Sequence, residues 1–255
     1  MIVTQVEADR SGTGLLLIYT GGSLKQAADP EQDQPFLLWT HRQTRKSVVG
    51  SVLGFGIMGG IGESPFKVKG VAYAGALEFY DAEVEGGSRA VLERLEPELR
   101  GFASQRFLPS GWYDIFPFLE LDRAAAHLSG TTLDNIARRA SEWQARRELQ
   151  GIYKVFVKLL GASHAANVFG RLMGQYYNFG QHKLVPHGKT EVYFEIGGCP
   201  SELATWLPTV ILAYVRTLLE LAGAKEVAPT RVESTPDGSF EGYPLVKLEA
   251  RLRWK

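Results

Sequence analysis

The stretch EVYFEIGGCPSELATWLPTVILAYVRTLLELAGA, residues 191–224, changes its hydrophobic period partway along. Its first part alternates apolar and polar residues, as a half-buried strand does. From Trp206 the apolar residues recur at helical spacing. Arg216 and Glu220 interrupt that helix at i,i+4, a pairing suited to a polar stripe on a soluble helix. HKLVPH precedes the strand and reads as its partner. KEVAPTRVES and YPLVKLEARLRW follow the helix and read as a second pair around a PDGS turn. The order is therefore ββ-helix-ββ.

Upstream, back to Pro65, the period is helical. AYAGALEFYDAEV gives one helix, and RAVLERL gives another with Ser88 as N-cap. Pro97 starts a short helix that LPSG at 108–111 ends. DIFPFLELDRAAAHL follows. Thr131 or Thr132 then opens LDNIARRASEWQARREL, which GIYKVFVKLLG continues after a bend near Gly151. AANVFGRLMGQYY, closed by NFG, completes the block. Before Pro65, MIVTQVEA, GLLLIYT and PFLLWT resemble short strands separated by SGTG, GGS and ADPEQDQP. The expected organisation has two parts. Residues 1–64 form an extension of short strands and a glycine-rich connector, hairpin-like or poorly ordered. Residues 65–255 form an α+β domain: a helical block followed by ββ-helix-ββ, with an antiparallel sheet covered by helices.

Composition removes several functions. Lys+Arg 28 against Asp+Glu 28 leaves no global field to recruit nucleic acid or an anionic membrane. The longest apolar stretch near the N-terminus, VVGSVLGFGIMGGIG, is shorter than the ~20 residues of a spanning helix and too rich in glycine, so no membrane span is expected. MIVTQVEADR has neither the basic nor the apolar region of a signal peptide, and a single cysteine suits a reducing compartment. The expected location is the cytoplasm.

Few residues invite chemistry. Cys199 stands near the start of the long helix, where a helix dipole can depress a thiol pKa. No Cys-His signature surrounds it, and packing in a strand-to-helix joint is the favoured reading. Gly54, Gly56 and Gly59 match G-x-G-x-x-G, but more glycines and Pro65 follow where a helix should begin, so the motif reads as a connector. His182 and His187 flank KLVP without a further ligand and read as surface or turn histidines, so no metal is expected. Arg138, Arg139, Arg146 and Arg147 recur on one helix side, with Glu142 placed to pair with Arg146. A solvated charged face is favoured over a site for an anionic ligand or acidic partner.

Several stretches together resemble a known family: FKVKGVAYAGALEFY, FLPSGWYDIFPFLEL, LQGIYKVFVKLLGASHAANVFGRLMGQYYNFGQHKLV, and the terminal LELAGAKEVAPTRVESTPDGSFEGYPLVKLEARLRW. They look like an uncharacterised, paralogous myxobacterial DUF family. That family is similar in element order to the vinyl-reductase-like ligand-binding domain, the TRAPP subunits and the haem-NO-binding domain. The resemblance covers 66–255 and rests on packing and turn motifs. It implies helices stacked on a sheet, able to enclose an apolar pocket, and a homodimer formed through helical faces.

Two departures limit what it implies. Haem-NO-binding domains hold the propionates with Tyr-x-Ser-x-Arg; here Tyr193 is followed by Glu195 and Gly197, a carboxylate and no guanidinium, so haem in that mode is not expected. The closing hairpin carries Ser234 and Pro244 near the places where vinyl-reductase-like domains have cysteines, which puts a metal or redox role there in doubt.

Trp112, Tyr113, Phe116, Phe118, Tyr153, Phe156, Phe169, Met173, Tyr176 and Tyr177 form an aromatic-rich set that mostly reads as core. All of them except Phe118 are taken as the candidate ligand-binding residues, on the pocket that the resemblance implies. The expected function is a non-enzymatic regulatory or sensory module. It would bind a small apolar or aromatic molecule, use no cofactor, and signal through protein contacts. The alternatives are an adaptor subunit without ligand and an enzyme using Cys199.

Overall fold

The computed structural model describes residues 60–149, 158–159 and 161–255. The strand-like segments before Pro65, the motif of Gly54, Gly56 and Gly59, the bend near Gly151, and Tyr153 and Phe156 lie outside them. The described chain is α+β: a helical block, then an antiparallel sheet split by one long helix.

The block opens with a small ladder that the sequence reading does not contain. Strand β1 (Lys67–Lys69) pairs antiparallel with β2 (Trp112–Asp114). Helices α1 (Gly70–Glu83), α2 (Gly87–Glu93) and α3 (Pro97–Ala103) lie between them. Pro97 occupies the first turn of α3, where its missing N–H removes no bond. Ser88 does not cap α2; Gly86 does, at φ 77°, and the Ser88 N–H donates instead to Asp81 of α1 at 2.8 Å. Helix α4 (Phe116–Leu128) follows β2 directly. Of the two threonines offered as the start of α5 (Leu133–Glu148), Thr132 is the cap, its Oγ1 accepting from the Asn135 N–H at 3.2 Å. Helix α6 (Ala162–Met173) completes the block.

The sheet is built as the period change requires. Strand β3 (Gln181–Pro186) pairs with β4 (Glu191–Pro200), and β4 pairs with the last strand, β7 (Tyr243–Arg253). On its other side β7 takes β5 (Ala228–Pro229) and β6 (Glu233–Phe240). Between β4 and β5 run a 3-10 turn, Ser201–Leu203, and α7 (Trp206–Leu221). The expected PDGS turn is not a turn. Pro236, Asp237 and Gly238 sit within β6 at a register shift, and the chain reverses at Glu241 and Gly242. A matching irregularity lies in β4 between Ile196 and Cys199. There Gly198, at φ 68°, turns its N–H to the Asp237 carboxylate at 2.7 Å. Facing bulges thus bond to each other and bend the sheet.

Side-chain alternation sorts the sheet into two faces. Val192, Phe194 and Ile196 of β4, with Leu248, Ala250 and Leu252 of β7, are buried in the main core with the helices. Tyr193, Glu195, Glu249 and Arg251 lie on the opposite, polar face. Helix α6 approaches β3 closely through Gly170, where a Cβ would stand 2.7 Å from the Leu184 carbonyl oxygen. Gly170→Val is therefore expected to push α6 off β3 and lower stability by about 1–3 kcal/mol. Thermal denaturation measures this, and an unchanged midpoint would show that the contact is not tight.

Candidate functional site

Helices α1, α4, α5, α6 and α7 enclose a chamber of about 60 Å³. Small residues at helical spacing make the room: Ala72 and Ala76 on α1, Ala137 and Ala140 on α5. Phe118 and Asp122, one turn apart on α4, close its buried end. Gln144, Tyr176 and Tyr214, all half-buried, stand at its outer end.

Asp122 dominates the chemistry. It is 1% exposed. Its Oδ1 accepts from the Tyr80 hydroxyl at 2.6 Å, and its Oδ2 from the Trp206 indole N–H at 2.7 Å. Both donors are neutral. Burial pushes the carboxyl up to about 6, against the downward pull of these two bonds. Burial, with Asp122 beside it, also pushes the Tyr80 hydroxyl far above its usual range.

The outer end has its own polar arrangement. Glu148 of α5 accepts from Gln144 Nε2 at 2.8 Å and from the Tyr214 hydroxyl at 2.7 Å. Tyr214 stacks on Phe169 with ring centroids 4.8 Å apart. Ser141 turns its hydroxyl to the Val210 carbonyl at 2.5 Å, which joins α5 to α7. Tyr177 stacks on His182 at 5.3 Å, and burial raises its hydroxyl well above the ordinary tyrosine range.

The structure brings together part of the aromatic set expected from sequence. Phe169, Met173, Tyr176 and Tyr177 line the chamber, as does Phe118. Trp112, Tyr113 and Phe116 stand elsewhere. Trp112 is 44% exposed, with Lys69 Nζ 3.7 Å from its ring centre. Tyr113 packs edge-on to Phe107, and its hydroxyl accepts from the Leu108 N–H at 2.9 Å. Phe116 stacks on Tyr243 at the sheet end of the core. Trp112 and Tyr113 belong to the β1–β2 ladder, and Phe116 stands in the first turn of α4. Sequence reasoning missed Asp122, the alanines, and the partners on α7.

The other candidates are structural. Cys199 is buried within β4, paired with Val246 and seven residues ahead of α7. Burial pushes its thiol up to about 12. His182 bonds through Nε2 to the Phe179 carbonyl, and its Nδ1 is buried without a partner. Among the described residues no group of three or more His, Cys, Asp or Glu could hold a metal ion. The α5 arginines serve neighbouring acids. Arg138 pairs with Glu142, Arg139 with Glu83 of α1, Arg147 with Glu78 of α1, and Arg146 approaches Glu220 of α7 at 3.9 Å. The expected pairing of Glu142 with Arg146 is replaced by Arg138 with Glu142.

The residues present do not fit a haem. A haem needs an axial ligand and cations for its propionates. Among the described residues no His, Lys or Arg lines the chamber, and Tyr177 and Tyr214 hold their protons tightly. Pockets for molecules of that size run to about 300–1,000 Å³. Tyr193 and Glu195 lie on the outer face of the sheet, where Glu195 is engaged by Lys183 at 2.5 Å and by the Tyr193 hydroxyl at 2.7 Å.

No family model and no curated protein matches the chain. Solved H-NOX structures are similar at low identity. An Fe(II) unliganded H-NOX protein from K. algicida is 12% identical, with a TM-score of 0.48 over 73% of this chain and 96% of that one. An oxygen-binding H-NOX domain related to soluble guanylate cyclases is 14% identical, with a TM-score of 0.47 over 73% of this chain and 92% of that one.

Two measurements test the site. A carboxyl raised by folding stabilises the folded chain most at low pH, and that contribution is lost as pH rises through about 6. Asp122→Asn keeps both hydrogen bonds, because the Tyr80 hydroxyl can turn from donor to acceptor. The stability difference between wild type and Asp122→Asn is expected to shift against wild type by about 2 kcal/mol between pH 4 and pH 7. A difference flat in pH would show that Asp122 is not desolvated. Cys199 is expected to alkylate with iodoacetamide at neutral pH only after unfolding; rapid reaction of the native chain would restore the nucleophile reading.

Proposed function

We propose that the described domain is a non-catalytic sensory or regulatory module. It takes a small, mainly apolar molecule into the chamber behind Gln144, Tyr176 and Tyr214. It works in the cytoplasm and passes the occupied state on by protein contact. The observation that carries this reading is the chamber itself, a space walled by alanines and aromatic rings with a few polar groups at defined points. Membership of the myxobacterial family, which the packing and turn motifs resemble, is part of the same proposal.

The size of the chamber narrows the occupant. At about 60 Å³ it is well under the ~150 Å³ cavity that takes benzene, so it suits a molecule of a few heavy atoms rather than an aromatic ring. No described helix is long and apolar enough to cross a membrane.

An adaptor reading has one observation in its favour. Leu108, 56% exposed, and Trp112 stand close together on the surface beside Lys69, which donates to the Ser110 carbonyl at 2.8 Å. Exposed aromatic side chains are enriched at interface cores. On the sensory reading the same patch is a route for output, including self-association.

Xenon, small and apolar, is the direct probe of the chamber. Xenon NMR of the wild-type chain is expected to show a bound population that Ala76→Leu removes by filling the space, while Leu108→Ala leaves it intact. Absence of bound xenon in wild type, with the fold intact, would favour the adaptor.

A further inference from the structure

Among the described residues, the chamber wall carries a buried carboxylate, Asp122, and no Lys, Arg or His side chain. The groups facing that carboxylate are a phenol from α1 and an indole from α7. Each satisfies one site on one oxygen, and an ionised carboxylate can accept more. Neither donor carries the charge that would compensate it. Two lining residues, Gln144 and Tyr214, donate to a second carboxylate, Glu148. The α5 arginines are occupied on the outside with acids of α1 and α7.

A buried ion without a partner is costly, and the usual remedies are a counter-ion or a proton. No described side chain supplies the counter-ion. The rest of the wall is apolar and aromatic, which accepts a compact organic cation better than a hydrated metal ion, since the latter would need several oxygen ligands. The volume limits that cation to a few heavy atoms.

We propose that the molecule taken into the chamber is a small primary alkylamine, bound as its ammonium ion against the Asp122 carboxylate, with its alkyl group among Ala72, Ala76 and Ala137. This deepens the functional reading above and rests on it. Asp122 supplies the charge that selects an amine over an alcohol of equal size, while the alanines set the length of the alkyl group. The raised carboxyl pKa agrees with this, because an ammonium ion entering the chamber would relieve the same cost that protonation relieves.

The test uses the full chain with ethylammonium chloride, ethanol and xenon as separate probes, at matched ionic strength and pH 7.5. Binding is read from the indole N–H resonance of Trp206 and from the thermal midpoint. Ethylammonium is expected to bind wild type at least tenfold more tightly than ethanol does. Asp122→Asn is expected to abolish that preference while still taking xenon, which shows its chamber to be intact. Equal ethylammonium affinity in wild type and Asp122→Asn would overturn the amine assignment. So would a wild-type chain that takes xenon or ethanol but not ethylammonium; in both cases the chamber remains a binding site. Failure of all three probes with wild type would remove both the amine assignment and the functional reading beneath it.

Discussion

The hydrogen bonds at Asp122 tie together helices that lie far apart in sequence. Tyr80 reaches it from α1 and Trp206 from the first turn of α7, 42 residues upstream and 84 residues downstream. All three side chains are buried, so each bond forms in a medium where leaving it unmade would cost about 1–3 kcal/mol. The arrangement fixes more than contact. It sets where α7 begins, which in turn fixes the side of α5 that the long helix covers. The Ser141 hydroxyl, bonded to the Val210 carbonyl, ties α5 to α7. The alanines of α1 and α5 line the space beside the carboxylate.

A second polar knot performs a comparable task at the other end of the block. Asp114, at the end of β2, accepts from the Ser64 hydroxyl at 2.6 Å, the Ser64 N–H at 2.9 Å and the Phe116 N–H at 3.1 Å. Its own carbonyl accepts from the Tyr73 hydroxyl at 2.5 Å. This knot differs from Asp122 in one respect. Asp114 receives backbone N–H groups that need partners, so its burial is explained by the turn it closes. Asp122 satisfies no backbone group. The outer sheet face shows a third treatment of charge, with Lys183 and Tyr193 at Glu195, Tyr193 and Lys247 at Glu249, and two arginines at Glu191. Those acids are partly exposed and matched with cations, and their pKa values fall, chiefly through hydrogen bonds from Arg253 at Glu191, Lys183 at Glu195 and Tyr193 at Glu249.

What could be read from sequence follows the range of each signal. The change of period around Cys199 yields the β3, β4 and α7 order because alternation and helical spacing are local. The Thr132 cap and the Pro97 start are local too. Pro-Asp-Gly-Ser misleads because its turn chemistry is used by a bulge, where Asp237 bonds to Gly198 on a strand 39 residues away. The aromatic set divides for a similar reason. Trp112 and Tyr113 are drawn off by a three-residue ladder too short to show a period, and Phe116 stacks on Tyr243 instead. Asp122 did leave a trace: it stands four residues from both Phe118 and Ala126, on the buried stripe of α4. A charged residue on an otherwise apolar stripe is the signal that an aromatic-centred reading passes over.

The treatment of these five acids bears on whether the chamber is only imperfect packing. A packing defect at a helix junction would be lined by whatever apolar side chains failed to meet, and filling it with larger residues would stabilise the fold. The chamber instead has a carboxylate at its buried end, bonded to an indole N–H that an asparagine oxygen would accept and to a hydroxyl that can turn to accept from an asparagine amide. Asparagine there would keep both hydrogen bonds and shed the cost of burying a charge. Stability alone therefore gives no reason for the acid. The chain does neutralise or expose its other acids where it can, by cations at Glu191, Glu195 and Glu249 and by backbone N–H groups at Asp114. A carboxylate that no described cation compensates, beside an apolar space, is the feature that packing does not explain and that the proposed binding does.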